Sequence, residues 1–245
     1  MKALVTRPEE DAAPLVAELR ARGIEGIAAP MLTIVPRPDA AAQLAGAMAG
    51  VQAVLFTSAN GARQFATASS RFDVPAFCVG DATAAAARIA GFRAVFSAAG
   101  DVADLAALAA ARLAPHQGPL LHATGAAAAG DLAAALGAKG FVVRRIELYR
   151  ADEARAVAPE IVAAIRRGEV AAALFFSPRT GRSFVRLARD AGIGENCREM
   201  TAIALSPNVA TSLRTLNWRD VLIAASPNQP ALLAALDDWR GRSSP

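Results

Sequence analysis

Two cysteines, two histidines and a single tyrosine occur in 245 residues, and aromatic residues make up only 5% of the chain. Each scarcity removes a class of function. Cys78 stands in the apolar stretch Phe77-Cys78-Val79 and Cys197 in a polar one. Two cysteines so unlike make no disulfide framework, and a reduced, intracellular chain is expected. His116 and His122 have no neighbouring cysteine or paired carboxylates, so no metal-ligand spacing exists. Lysine is nearly absent beside arginine, and the net charge is +4. The arginines are spread out and too few aromatics lie between them for a nucleic-acid stripe. Arginine favours planar carboxylate and phosphate groups, which points to an anionic small molecule, although most arginines on helix faces are simply solvated.

Long apolar runs are also missing. No stretch approaches the roughly 20 residues needed to span a bilayer. Met1-Lys2-Ala3-Leu4-Val5 gives way to Thr6-Arg7-Pro8 too early for a signal peptide, so a cytoplasmic protein is expected. The nucleotide motifs are absent as well. Gly125-Ala126-Ala127-Ala128-Ala129-Gly130 has P-loop glycine spacing, but Asp131-Leu132 follows where Lys and Ser/Thr are required. No Gly-x-Gly-x-x-Gly follows a strand, and no Gly-x-Ser-x-Gly elbow is found.

What is present is 54% hydrophobic residues, much of it alanine, in a regular alternation of strand and helix. Strands are expected at 3–6, 51–57, 76–79, 94–97, 120–124, 141–149, 171–176, 202–205 and 221–225, with an extended run over 27–35. Helical patterns fill the intervals, the last over 231–239, and 241–245 reads as a disordered tail. This is α/β with parallel sheets. Two strands before residue 36 and three after 170 are each too few for a core. They are expected to combine into one domain, 1–36 with 151–245, and 37–150 forms an inserted second.

One sentence is written twice. Phe56-Thr57-Ser58-Ala59-Asn60-Gly61-Ala62-Arg63-Gln64-Phe65 is echoed by Phe176-Ser177-Pro178-Arg179-Thr180-Gly181-Arg182-Ser183-Phe184. A strand running through Ser into a helix presents free backbone N–H groups and the positive end of the helix dipole, which suits an anion. A lone serine there is most often only an N-cap; repetition raises the functional odds. Hydroxyls stand at other strand ends too: Thr6, Thr83, Thr124, Ser206 and Ser226. In open α/β sheets ligands lie outside the carboxyl ends of strands, and two domains facing each other would bracket a polyanion. His122 is near one such end, where a satisfied, partly buried histidine is the commoner finding. Tyr149 ends the strand Arg145-Ile146-Glu147-Leu148-Tyr149 at the expected cleft. Its phenol, with a usual pKa near ~10, is either a neutral proton donor or a packing residue.

These linked motifs resemble the uroporphyrinogen-III synthase family over nearly the whole chain. The resemblance is carried by Val5-Thr6-Arg7-Pro8, Phe56 to Gly61, Val79-Gly80-Asp81-Ala82-Thr83, Ile146-Glu147-Leu148-Tyr149, Phe176-Ser177-Pro178 and the Ser206-Pro207 turn. It implies two flavodoxin-like or Rossmann-like domains joined by a two-stranded crossing. It also implies a cofactor-free hydro-lyase reaction on hydroxymethylbilane, a linear tetrapyrrole polycarboxylate. Loss of the terminal hydroxyl gives an azafulvene; ring D inverts through a spiro intermediate and the type III macrocycle closes. Free in water the same substrate closes to type I, so catalysis is mostly positioning. By the resemblance Tyr149 assists hydroxyl departure. Thr6, Arg7, Ser58, Asn60, Arg63, Thr83, Thr124, Ser177, Arg179, Ser206, Asn208 and Ser226 are the expected substrate contacts, with Arg182 a further charge partner. Leu205-Ser206-Pro207-Asn208 departs from the family's Gly-Pro-Thr-Thr. A monomer without metal, nucleic acid or membrane partner is expected. The rival reading is a two-domain binding protein for an anionic metabolite, with no chemistry of its own.

Overall fold

The structure is a computed structural model that describes residues 1–126 and 131–243. The chain opens with β1 (Lys2–Val5), α1 (Glu9–Ala21), β2 (Glu25–Ala28) and β3 (Leu32–Pro36). Next come α2 (Ala40–Ala47), β4 (Ala53–Phe56), α3 (Ala59–Ala68), β5 (Ala76–Cys78), α4 (Asp81–Ala90) and β6 (Val95–Ser97). They are followed by α5 (Val102–Arg112), β7 (Leu120–Gly125), α6 (Leu132–Gly137) and β8 (Val143–Glu153). The last stretch is α7 (Pro159–Arg166), β9 (Val170–Phe175), α8 (Pro178–Asp190), β10 (Thr201–Ala204), α9 (Pro207–Leu213), β11 (Asp220–Ile223) and α10 (Gln229–Ser243).

Two compact units result, 1–33 with 152–245 and 34–151. Among the described residues the first holds a five-stranded sheet, β11-β10-β9-β1-β2, whose recorded pairings are all parallel. Numbered along that unit the order is 2-1-3-4-5, the flavodoxin-like winding. The second unit's strands lie as β3-β8-β7-β4-β5-β6. Its parallel strands β4 to β8 give the order 3-2-1-4-5, the Rossmann-half winding. The edge strand β3 runs against β8: Arg37 N–H donates to Leu148 O and Ala154 N–H to Met31 O, so one number rises as the other falls.

The strands read as buried apolar runs because helices cover both faces of each sheet. In β4, Ala53 and Leu55 belong to one apolar cluster and Val54 and Phe56 to the other, all fully buried. Aromatics are few but gathered. Phe56, Phe65, Phe72 and Phe92 pack edge-on or tilted in the second unit, and Phe175, Phe184 and Trp218 do so in the first. Alanine helices sit close: Ala84 and Ala87 of α4 are fully buried. Asp101 and Asp104 cap α5 reciprocally, Ala103 N–H donating to Asp101 and Asp101 N–H to Asp104.

Three sequence expectations need correction. The extended run over 27–35 is two strands in different sheets, broken at Ala29-Pro30-Met31, where Ala29 and Met31 donate their N–H groups to the carbonyls of Val5, the last residue of β1, and Thr6 just beyond it. The strand expected at 141–149 is Val143–Glu153. Of the expected tail, residues 241–243 are helical, since α10 continues past Trp239 with Arg240 bonding back to the Arg22 carbonyl at 2.6 Å, while Ser244 and Pro245 lie outside the described residues. Of the P-loop-like stretch, Ala127 to Gly130 lie outside the described residues. No helix among the described residues is long and apolar enough to cross a membrane.

Candidate active site

Winding order locates the site before any side chain is considered. The switch point of the second unit falls between β4 and β7, and that of the first between β1 and β9. Ligands bind outside the carboxyl ends of strands at such points. The chain carries Thr57-Ser58 and Thr124-Gly125 to the first of them, and Thr6-Arg7 and Phe176-Ser177 to the second.

In the second unit Ser58 is the N-cap of α3, its Oγ accepting from Gly61 N–H at 3.1 Å. The same oxygen lies 2.9 Å from the Tyr149 hydroxyl. Tyr149 reaches it through an irregularity in β8. Thr124 is opposite Glu147, but Gly125 is opposite Tyr149, so β8 inserts one extra residue. Strict alternation would send Leu148 and Tyr149 to opposite faces of the sheet; the bulge brings both into the cluster with Phe56 and Phe65. Gly125 makes room for the ring. A Cβ there would stand 2.7 Å from Tyr149 Cε2. Gly61 is as constrained: a Cβ would stand 2.8 Å from the Ala123 carbonyl, so only glycine lets α3 lie this close to β7. Tyr149 is 8% exposed, a phenol with its body in the core and its oxygen at the strand ends.

On the opposite face, His122 Nε2 lies 3.1 Å from Thr57 Oγ1. Burial, reinforced by the Arg145 charge, pushes the His122 pKa down to about 4, so the ring is neutral at physiological pH. Arg145 pairs with Glu147 at 2.9 Å and donates to the Gly125 and Ala126 carbonyls, tying β8 to the end of β7.

In the first unit Arg7 is held from three sides. Its guanidinium stacks 4.7 Å from the Phe176 ring centroid, donates to Gln229 Oε1 at 3.0 Å, and pairs with Asp11 at 3.5 Å. Ser177 caps α8 through Thr180 N–H at 3.1 Å. Here the repeat shows its structural half. Phe56 and Phe65 stand two before and seven after Ser58, and meet edge-on at 5.7 Å. Phe175 and Phe184 hold the same offsets from Ser177 and meet edge-on at 5.3 Å. Phe175 is therefore the counterpart of Phe56, and Phe176 turns to Arg7 instead.

The remaining sequence-derived residues divide as follows. Thr6 is fully buried and its hydroxyl donates to Leu174 O at 2.7 Å, tying β1 to β9. Thr83 and Thr124 are 5% and 2% exposed. Asn60 accepts from Arg63 at 2.8 Å, and Arg179 faces Glu153 at 3.8 Å. Ser206 opens α9 without a side-chain cap bond, while Asn208 and Ser226 are exposed. Arg182 is exposed on α8. Ser58 and Tyr149 are thus brought together by direct contact, and Ser206, Asn208 and Ser226 are not drawn into any such cluster. Sequence reasoning missed the Thr57–His122 pair, Gly125 and Gln229. Only Gly125 left a signal, as a glycine directly after a strand-end threonine. Among the described residues no group of three or more His, Cys, Asp or Glu stands together to hold a metal.

Taken together, fold and site define a two-unit doubly wound α/β protein with its polar groups gathered at the switch points. The comparisons with known proteins name the family. The model for uroporphyrinogen-III synthase HemD matches residues 13–234, and the chain belongs to that family. The solved uroporphyrinogen-III synthetase of Helicobacter pylori is similar in fold, with a TM-score of 0.65 at 13% identity over 98% of this chain and 99% of that one. A mutant uroporphyrinogen III synthase from the extremely thermophilic bacterium Thermus thermophilus has a TM-score of 0.54 at 20% identity, over 98% of both chains. Among curated protein sequences there is no match. The activity is that of the family: a cyclising hydro-lyase of tetrapyrrole biosynthesis, which closes hydroxymethylbilane to uroporphyrinogen III with loss of water and inversion of ring D. The reading of a binding protein without chemistry is set aside.

Proposed function

We propose that Tyr149 is the acid that releases the terminal hydroxyl of hydroxymethylbilane, at the carboxyl end of β4 and β7. The observation that carries this reading is the 2.9 Å contact between the Tyr149 and Ser58 hydroxyls at the switch point. Ser58 Oγ already accepts from Gly61 N–H. When its own proton points to the phenol oxygen, the phenolic O–H is directed away from Ser58 and toward substrate. Proton transfer from Tyr149 to the departing hydroxyl releases water as the pyrrole nitrogen pushes electrons into the azafulvene. Ring D attacks through its substituted carbon and rearranges. The proton lost as the new ring becomes aromatic then restores the phenol, so the only by-product is water.

The acetates and propionates need a grip that favours the folded conformer. Helix starts differ in fitness for that role. α1, α4 and α5 open on acidic residues, whereas α3 and α8 have none in the first turn. The first-turn amides of α3 and α8 are therefore the carboxylate receptors of their respective units. Arg7, oriented by Phe176 and Gln229, supplies a planar fork suited to a carboxylate. Thr6 and Thr124 shape the strand ends, and Thr83 the first turn of α4, rather than touch substrate. The protein acts as a cytoplasmic monomer without a cofactor. Support for the compartment comes from its two cysteines, both free thiols, as suits a reducing environment.

Tyr149→Phe tests the assignment. General acids contribute roughly 10² to 10⁴ in rate, so turnover is expected to fall about a hundredfold or more with KM nearly unchanged. Wild-type turnover in that variant would remove Tyr149 from the chemistry.

A further inference from the structure

The least explained group near the site is His122. It stands on β7, paired in register with Leu55 of β4 on one side and Arg145 of β8 on the other. Its ring shares the sheet face of Leu55, an apolar cluster that includes Phe77, Leu105 and Leu120. A leucine would pack there at no desolvation cost. Burying an imidazole to 3% exposure costs free energy unless a hydrogen bond offsets it. The side-chain hydrogen bond recorded for it among the described residues goes to Thr57 Oγ1 at 3.1 Å.

Thr57 is the last residue before the cap. Its peptide bond leads directly to Ser58, whose φ of −157° and ψ of 153° set the entry to α3. Phe56, one residue earlier, is locked in the core on the other face. Between that anchor and α3, the Thr57 side chain is the handle by which the short link can be held. We propose that His122 is a positioning residue: by bonding Thr57 it fixes the link that presents the Ser58 hydroxyl to Tyr149. His122 itself does not touch substrate in this account; it acts through two neighbours on the opposite face of the sheet. The proposal rests on the reading of Tyr149 as the acid.

The test is a double-mutant cycle on turnover to the type III product. His122→Leu fills the same space without the hydrogen bond, and His122→Gln keeps a polar group near the Nε2 position. Thr57→Val removes the partner instead, at a residue that is only half-buried, and guards against a His122 variant that fails to fold. His122→Leu and Thr57→Val are each expected to lower turnover about tenfold with KM changed less than twofold, and His122→Gln to recover most of the loss. In a Tyr149→Phe background His122→Leu should add less than a further twofold, because the group it positions is gone. An equal loss in both backgrounds would show a general structural effect and overturn the proposal, as would wild-type turnover in Thr57→Val. Wild-type turnover in Tyr149→Phe alone would overturn the reading beneath it, so the two failures are distinguishable.

Discussion

Gly125 and Tyr149 show how much of this site is decided by the size of one side chain. A methyl group at position 125 would lie 2.7 Å from the phenol ring, well inside contact distance. The ring must then shift, and its oxygen leaves the 2.9 Å contact with Ser58. Misplacing a reacting group by about 1 Å can cost on the order of a hundredfold in rate. Gly125→Ala is therefore expected to lower turnover at least tenfold while destabilising the fold by about 1–3 kcal/mol, the usual range for overpacking. Steady-state kinetics and thermal unfolding on the same preparation check both; unchanged turnover would mean that the ring position is not critical. Ser58 was legible in the sequence because a serine between an apolar strand and a helix has a local signature. Tyr149 was legible as the single tyrosine, although the strand expected to end at it runs on to Glu153. The bulge that aims it was not, because a register shift depends on pairing with β7 rather than on anything in β8 itself. Nor was the Thr57–His122 bond, which joins residues 65 apart in the chain.

Among elements, the helix starts look alike in sequence and differ in structure. Ser58 and Ser177 both accept from a backbone N–H in the first turn, whereas Ser206 makes no side-chain cap bond. Ser58→Ala and Ser177→Ala should each cost about 1 kcal/mol of stability, and Ser206→Ala less than about 0.5 kcal/mol. Only Ser58→Ala should also slow turnover at saturating substrate, because Ser58 alone of the three touches Tyr149. Chemical denaturation read beside kinetics separates these effects; a Ser177→Ala enzyme as slow as Ser58→Ala would sink the distinction. Aligned on its serines, the doubled sentence keeps its aromatic frame through Phe56 with Phe65 and Phe175 with Phe184, and Phe176 falls outside that frame. Two phenylalanines in succession cannot be told apart by periodicity, since a buried strand is apolar on both faces. The extended run at 27–35 misled for a related reason. Each half is strand-like, and only the pairing of β2 with β1 and of β3 with β8 shows that the two halves belong to different sheets.

At the scale of the whole chain, alternation of strands and helices was enough for the α/β class, because parallel strands need helical crossovers. The winding orders were not legible, since nothing local says which strands are neighbours. Those orders matter most for function: 2-1-3-4-5 and 3-2-1-4-5 each create one switch point, and the hydroxyls and Arg7 lie there. The chemistry expected of such a site is control over which carbon closes the ring. Hydroxymethylbilane left in water closes to type I, so the product isomer reports directly on whether the protein holds ring D for inversion. The measurement is to generate hydroxymethylbilane in place with the purified protein present, oxidise the products and separate the uroporphyrin isomers. Predominantly type III product, formed faster than the spontaneous reaction, is the predicted result. Type I alone, at the rate seen without protein, would contradict the account.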